Sequence, residues 1–440
     1  MDRLPRLALA AALTALVLTG GETGSSPGAS AATTTVDEVT YAFGSDRTEV
    51  VVSWRGAATT LFWGPDDSYG SQVTATPSAI TPVDIVGPFS EARLSGLSAG
   101  TTYHFKIGPD GVDRVLHTAP SNAQDFTAVV IADTEATICR TYQSQMFGLV
   151  AAIDADFLVH HGDLAIANEC GEPAVHQFFL DMEATLANGA AFQPMWGNHE
   201  YGNPTADAPR GTPRDTLANY KGRVAMPNAQ TVPNDKATQI SHPGCGQETN
   251  SRTNTCMGED WGWFRAGRVL FIGYPEPEPG AIADWQKKAD VLMADAQQND
   301  TVDFVVTYGH RPVASSTSYT PPTGWVTAFD ALAAKYSPTA RTDGKYVVSF
   351  AGHRHTLEVF ANRKGVTQVV NGGGGQGLIK FGATVSGSTW RQKHLGFSTL
   401  RYSASQRTLT LNVICGPAHP AQVGTCTPGS ALYTRTFSAT

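Results

Sequence analysis

Charge is scarce in this chain. Only 16% of its 440 residues are Asp, Glu, Lys or Arg, and acids outnumber bases to a net −8. That balance leaves no basic footprint for nucleic acid. Beyond residue 18, no apolar run approaches the ~20 residues a membrane-spanning helix needs. Cysteine is sparse, at six residues, and none of the spacings is C-x-x-C. No Gly-x-Ser-x-Gly elbow stands between a strand pattern and a helix pattern, which argues against a serine hydrolase. Repeats, low-complexity tracts and heptads are missing too, and nothing in the pattern sets an oligomeric state.

What the chain does have begins with an export signature. Arg3 and Arg6 precede the short apolar run from Leu7 to Leu18, and small residues follow, with Ala29-Ser-Ala31 as a cleavage context. Residues 1–32 therefore read as a secretory signal, removed from a mature chain without a membrane span. A membrane anchor is the competing reading, but the run is short for one. An even cysteine count in an exported chain suggests disulfides, whose connectivity the sequence alone does not fix. Pairing between neighbours is the expectation: 139–170, 245–256 and 415–426.

The chemistry collects at five strand ends. Phe126-Thr-Ala-Val-Val-Ile-Ala-Asp133 and Phe157-Leu-Val-His-His-Gly-Asp163 are apolar runs ending in carboxylates. Phe192-Gln-Pro-Met-Trp-Gly-Asn198-His199-Glu200 ends in an amide and an imidazole, and Val302-Asp-Phe-Val-Val-Thr-Tyr-Gly-His310 in an imidazole. Val347-Val-Ser-Phe-Ala-Gly-His-Arg-His355 ends in two imidazoles flanking one residue. Glycine directly precedes Asp163, Asn198, His310 and His353, where it allows close backbone approach. In open α/β sheets, function gathers beyond the carboxyl ends of the strands. Carboxylate, amide and imidazole donors together suit Fe, Mn, Zn or Mg rather than a soft thiolate metal. Any one of these residues alone is more often a turn, cap or core group; the case rests on the set.

That set resembles the five blocks of the calcineurin-like metallophosphoesterases, over residues 125–412, and most closely the purple acid phosphatase branch. The resemblance implies two sheets sandwiched between helices, holding two metal ions that neutralise a phosphate ester and generate a hydroxide nucleophile. It implies Asp163 bridging both ions, Asp133 and His355 on the first, and Asn198, His310 and His353 on the second. His199 resembles the family's general acid for the leaving group. Arg311 and Arg354 adjoin ligands and can contact phosphate; pairing with local carboxylates is the alternative. Glu200 is expected to support the loop or a ligand, and His160 and His161 to be structural. Two departures stand out. The family's iron-binding Tyr position is Ile166, and the position where other branches carry His is Glu135. Glu135 can serve as a hard oxygen donor or be a surface or cap carboxylate. A ferric purple centre is therefore not expected.

The remaining readings concern organisation. Residues 33–118 alternate as a small all-β sandwich that resembles fibronectin type III, with Trp54 as a core residue and the Tyr103 hydroxyl tied to nearby backbone. A short linker, 119–124, implies that this sandwich packs against its neighbouring domain. Helical spacing marks Thr141–Ala155, Pro173–Gly189 and Pro279–Gln298, so strands and helices alternate in a layered α/β domain. Residues 201–260 form a long polar loop, expected either to overhang the site or to be an insertion pinned by Cys245 and Cys256. Residues 413–440 read as a disulfide-stapled extension. The function implied is a secreted phosphomonoesterase acting on small-molecule esters. A phosphodiesterase on nucleotide or lipid head-group esters and a secreted binding or adhesion protein with a weakened metal site are the alternatives.

Overall fold

Parallel strands need both faces covered, and the runs Phe126–Ile131, Phe157–His161 and Ala191–Met195 are apolar enough to be buried almost throughout. They lie side by side in parallel at one end of a six-stranded sheet. The order continues with Gly396–Ser403, Thr408–Cys415 and Ala431–Ser438, all antiparallel. A second, seven-stranded sheet is centred on four parallel strands, Val269–Gly273, Phe304–Gly309, Tyr346–Ala351 and Val366–Asn371. Its edges are antiparallel: Trp263–Ala266 on one side, Leu357–Arg363 and Ser388–Gln392 on the other. Phe126, Phe157, Phe264, Phe271 and Tyr402 interlock by ring contacts, and these rings join the core of the two sheets.

This computed structural model describes residues 35–80, 82, 87–170, 173–200, 217–232, 258–276 and 279–440. The leader expected over residues 1–32, most of the 201–260 loop and the 245–256 pairing lie outside them. Residues Ala32–Thr440 form one compact unit. Among the described residues, no helix is long and apolar enough to cross a membrane.

Helices Gln143–Ala151 and Pro173–Thr185 pack together, as do Pro279–Gln298 and Thr323–Tyr336. The last of these places Trp325, Phe329, Leu332 and Tyr336 on one buried face, at the spacing an amphipathic helix requires. The architecture is the expected α/β one of two sheets flanked by helices. The boundary drawn at residue 412 falls inside the strand Thr408–Cys415, and Ala431–Ser438 pairs beyond it, so the sheet runs nearly to the end of the chain.

An all-β sandwich precedes this core, as expected. Asp37–Phe43, Val50–Arg55, Phe89–Leu94 and Thr76–Pro77 make one sheet; Ser71–Thr74, Thr60–Gly64, Thr102–Ile107 and Arg114–His117 make the other. Trp54 is buried and its indole N–H donates to the Ala58 carbonyl at 3.1 Å. The Tyr103 hydroxyl accepts the N–H of Ser98 at 2.9 Å, which is the backbone tie anticipated for it. Strand Asp37–Phe43 lies against helix Pro173–Thr185, and Phe43 meets Phe157 and Phe264 edge-on. The sandwich thus shares a core with the α/β layers. Disulfides Cys139–Cys170 and Cys415–Cys426 are formed.

Candidate metal centre

All five motif-bearing strands end on one side of the molecule, and the loops beyond them bend sharply. Asp133, Asp163 and His353 have φ of 55°, 54° and 65°. Non-glycine residues reach this left-handed region only where surrounding contacts hold them. Those contacts are explicit. Asp133 N donates to Gly162 O at 3.1 Å, Thr134 N to Asp163 O at 3.0 Å, and Gly352 N to His310 O at 2.9 Å. The Glu200 carboxylate accepts three backbone N–H groups, from Gly197 (2.7 Å), Asp163 (2.8 Å) and Leu164 (2.7 Å). Glycine is needed where backbone meets carboxylate. A Cβ on Gly197 would stand 2.3 Å from Asp163 Oδ1, and one on Gly352 2.3 Å from Asp133 Oδ2.

The side chains so placed converge in two groups. In one, Asp163, His310 and His353 bring donor atoms within 4.8 Å of one another. His310 Nε2 lies 3.0 Å from Asp163 Oδ2 and 3.0 Å from Asn198 Oδ1. In the other, His355 Nε2 lies 3.4 Å from Asp133 Oδ1. His355 Nδ1 donates to the Gly377 carbonyl at 2.9 Å, which turns the Nε2 lone pair toward Asp133. Asp133 links the groups by accepting the His353 N–H at 2.8 and 3.0 Å. His199 flanks Asp163: its backbone N–H donates to Oδ1 at 2.9 Å and its Nε2 is 3.8 Å from Oδ2.

Burial of so many ionisable groups reshapes their titration. Burial alone would raise the Asp163 carboxyl, but His310 and His199 outweigh it and hold that carboxyl well below the usual carboxylate range. Burial opposes protonation of His310, yet Asp163 lifts it to about 9. Burial lowers His353, reinforced by His310 and Arg311. Burial and the Asp163 charge push Glu200 up to about 8, against the three amides it accepts.

The donor set fits metal ions of the hard and borderline kind. Asp163 Oδ2 is buried among these imidazoles, and among the described residues no donor meets it with hydrogen-bonding geometry, as a shared ligand oxygen requires. Each residue singled out from the sequence has a place. Asp133, Asp163, Asn198, His199, His310, His353 and His355 come together. Glu135 is buried and ion-paired with Arg140 at 2.8 Å, which engages the carboxylate that a first metal would otherwise draw on. Ile166 is fully buried with φ 52°, an unusual conformation for a β-branched residue. His160 faces helix Pro173–Thr185 at Phe178, with Nε2 2.8 Å from Thr134 Oγ1, while His161 faces Phe350 of the opposite sheet. Arg311 pairs with Glu276 at 2.8 Å, and Arg354 donates to Thr317 Oγ1 at 2.7 Å beneath Tyr319. Sequence reasoning missed Glu276 and Tyr319. Glu276 follows the buried strand Val269–Gly273 after Tyr274 and Pro275, a sixth strand end that could have drawn attention; Tyr319 carried no signal. The glycine run 372–375 lies close to the site: Gly374 N donates to Ala132 O at 3.1 Å, and Gln376 N to Asp133 O at 3.1 Å.

No family model matches the chain, and no curated protein sequence does. Among solved structures, the chain is similar to a purple acid phosphatase from yellow lupin seeds. The match has 17% identity and a TM-score of 0.66, and covers 92% of this chain and 74% of that one. A dimetal phosphatase from Danio rerio matches at 13% identity over 66% of this chain and 96% of its own, with a TM-score of 0.37. At such identities the likeness is one of fold. The fold is the one that the yellow lupin purple acid phosphatase displays.

Proposed function

We propose that this chain is an exported, metal-dependent phosphoesterase that prefers phosphate monoesters. One observation carries the reading. The donor atoms of Asp163, His310 and His353 lie within 4.8 Å of one another, with Asn198 Oδ1 3.0 Å from His310 Nε2 and the Asp133–His355 pair joined to them through the His353 backbone N–H. Asp163 would be shared by two ions, with Asp133 and His355 holding the first and Asn198, His310 and His353 the second. Fe(II), Mn or Zn suits these donors. When bound, such a pair supplies Lewis-acid charge to the phosphoryl oxygens and makes water a competent nucleophile.

The chain's own residues do the rest. The Asp163 carboxylate fixes the His199 backbone, so the His199 ring stands at the rim of the site, 15% exposed. From there Nε2 delivers the proton that a departing alkoxide needs. Arg354 is held by Thr317 and Ser318 with its guanidinium over Tyr319, a planar donor group prepared for phosphoryl oxygens. Two disulfides support export, because such bonds persist in oxidising compartments.

The test is elemental analysis of the untagged secreted protein, combined with p-nitrophenol release from mono- and bis-phosphate esters. About two metals per chain, with uptake and turnover both lost in Asp163→Ala, is the expected result. Faster cleavage of the bis-ester would reassign the enzyme as a diesterase. One metal or none, with no turnover after Mn, Zn or Fe is supplied, would overturn the reading in favour of a binding protein.

A further inference from the structure

Arg311 makes a contact that a metal on His353 would have to displace. Its Nη1 lies 2.8 Å from His353 Nε2. A guanidinium has donors only, so His353 Nε2 is the acceptor. A neutral imidazole has one ring-plane lone pair, and the other nitrogen then carries the proton. Arg311 therefore uses the only lone pair His353 can offer. A metal binding at Nε2 must displace the guanidinium outright. A metal binding at Nδ1 forces the ring proton onto Nε2, which then faces Arg311 donor to donor. Whichever nitrogen is the ligand, the Arg311 contact and a metal on His353 exclude each other.

The surroundings suit a movable tip on a fixed base. The Arg311 carbonyl accepts the Trp325 indole N–H at 2.9 Å and the Tyr274 hydroxyl at 3.1 Å, which pins the backbone. Glu276 holds Nε at 2.8 Å, on the far side from the Nη1 that reaches His353. The side chain remains 25% exposed, so its end has solvent to move into. Arg354, the neighbouring candidate, is bound to Thr317 and Ser318 and stacked on Tyr319, and none of its hydrogen bonds among the described residues engages an imidazole.

We propose that Arg311 is a latch on the second metal position. It holds His353 until a metal takes the imidazole, and the released guanidinium becomes a binding group for the phosphoryl anion. The idea rests on the reading of His353 as a metal ligand. It makes metal binding and anion binding cooperative through one side chain, because the cation that attracts phosphate also frees the arginine that grips it.

The test is a Co(II) titration of metal-free protein, followed by visible absorption, for wild type and Arg311→Met. Loss of one charge-assisted hydrogen bond should tighten the second Co(II) equivalent by roughly tenfold in the variant. Inorganic phosphate added to the Co(II)-loaded proteins should perturb the spectrum at roughly tenfold higher concentration in the variant than in wild type. Equal or weaker Co(II) binding by Arg311→Met would overturn the latch. No Co(II) uptake by wild type would instead remove the metal-centre reading on which the latch depends. Should the variant not fold, nitrogen NMR of metal-free wild type decides alone: His353 protonated on Nδ1 supports the latch, and protonated on Nε2 excludes it.

Discussion

Glu200 shows how a side chain can shape the candidate metal site without belonging to the proposed ligand set. By accepting the N–H groups of Gly197, Asp163 and Leu164, it ties the loop that carries Asn198 to the loop that carries Asp163. In Glu200→Gln, one acceptor oxygen becomes a donor aimed at those amides. Metal affinity should fall by about 10–100-fold, as when other groups that orient ligands are changed, and equilibrium dialysis would measure it. His199 differs in kind. On the proposed function, His199→Ala should cut turnover by about 10²–10⁴-fold and leave metal content unchanged by elemental analysis, because the ring would serve proton transfer and not hold metal. Loss of metal in that variant would make His199 a ligand or a structural group instead. On the resemblance drawn from the sequence, Ile166 stands where an iron-binding Tyr is expected, so under the proposed function the metal-loaded protein should lack a broad visible charge-transfer band. These seven site residues were legible because each follows an apolar run with a glycine or a short turn between. Tyr319 was not, because it reaches the site through the Arg354 guanidinium and such contacts leave no periodic mark; Glu276, which follows a sixth apolar run, carried that weaker signal alone.

Among elements, the loops after Phe126–Ile131 and Phe157–His161 depend on a covalent tie. Cys139–Cys170 joins them across 31 residues, just beyond Asp133 and Asp163. Replacing both cysteines by serine should cost about 3–4 kcal/mol of stability by the loop-entropy argument. Chemical denaturation of the two proteins would measure it, and on the proposed ligand assignment the variant should also bind the first metal more weakly, since Asp133 loses that restraint. The strands were readable because parallel strands buried on both faces are written as unbroken apolar runs. Helix Thr323–Tyr336 was passed over although Trp325, Phe329, Leu332 and Tyr336 carry a helical period. The hairpin of Trp263–Ala266 and Val269–Gly273 was missed for another reason. Its turn is Gly267-Arg268, with Gly267 at φ 54°, and four- and five-residue strands are too short to declare a period. Strand Ala431–Ser438 has no fully buried residue, so only its pairing with Thr408–Cys415 makes it part of the sheet.

For the molecule as a whole, the join between sandwich and α/β layers turns on Glu38 and Arg223. Glu38 is buried in the first strand of the sandwich and accepts from Arg223 Nε at 2.6 Å, while His176 Nδ1 lies 2.6 Å from its other oxygen. The Arg223 guanidinium also lies over Phe89 of the sandwich at 5.0 Å and Phe179 of helix Pro173–Thr185 at 5.7 Å. No sequence pattern could announce a pair separated by 185 residues, because burial of each charge makes sense only with the other in place. A buried ion pair adds little over apolar packing, but losing one member leaves the other charge buried and unpaired. Glu38→Ala should therefore cost about 3–5 kcal/mol, a large share of a typical domain's stability. The shared core of Phe43, Phe157 and Phe264 adds a second expectation: wild type should unfold in one calorimetric transition, since the sandwich cannot separate without exposing those rings. Two well-separated transitions in wild type would show that the join is weak. A single transition in wild type that splits in Glu38→Ala would show that the Glu38–Arg223 pair is what makes the two parts unfold together.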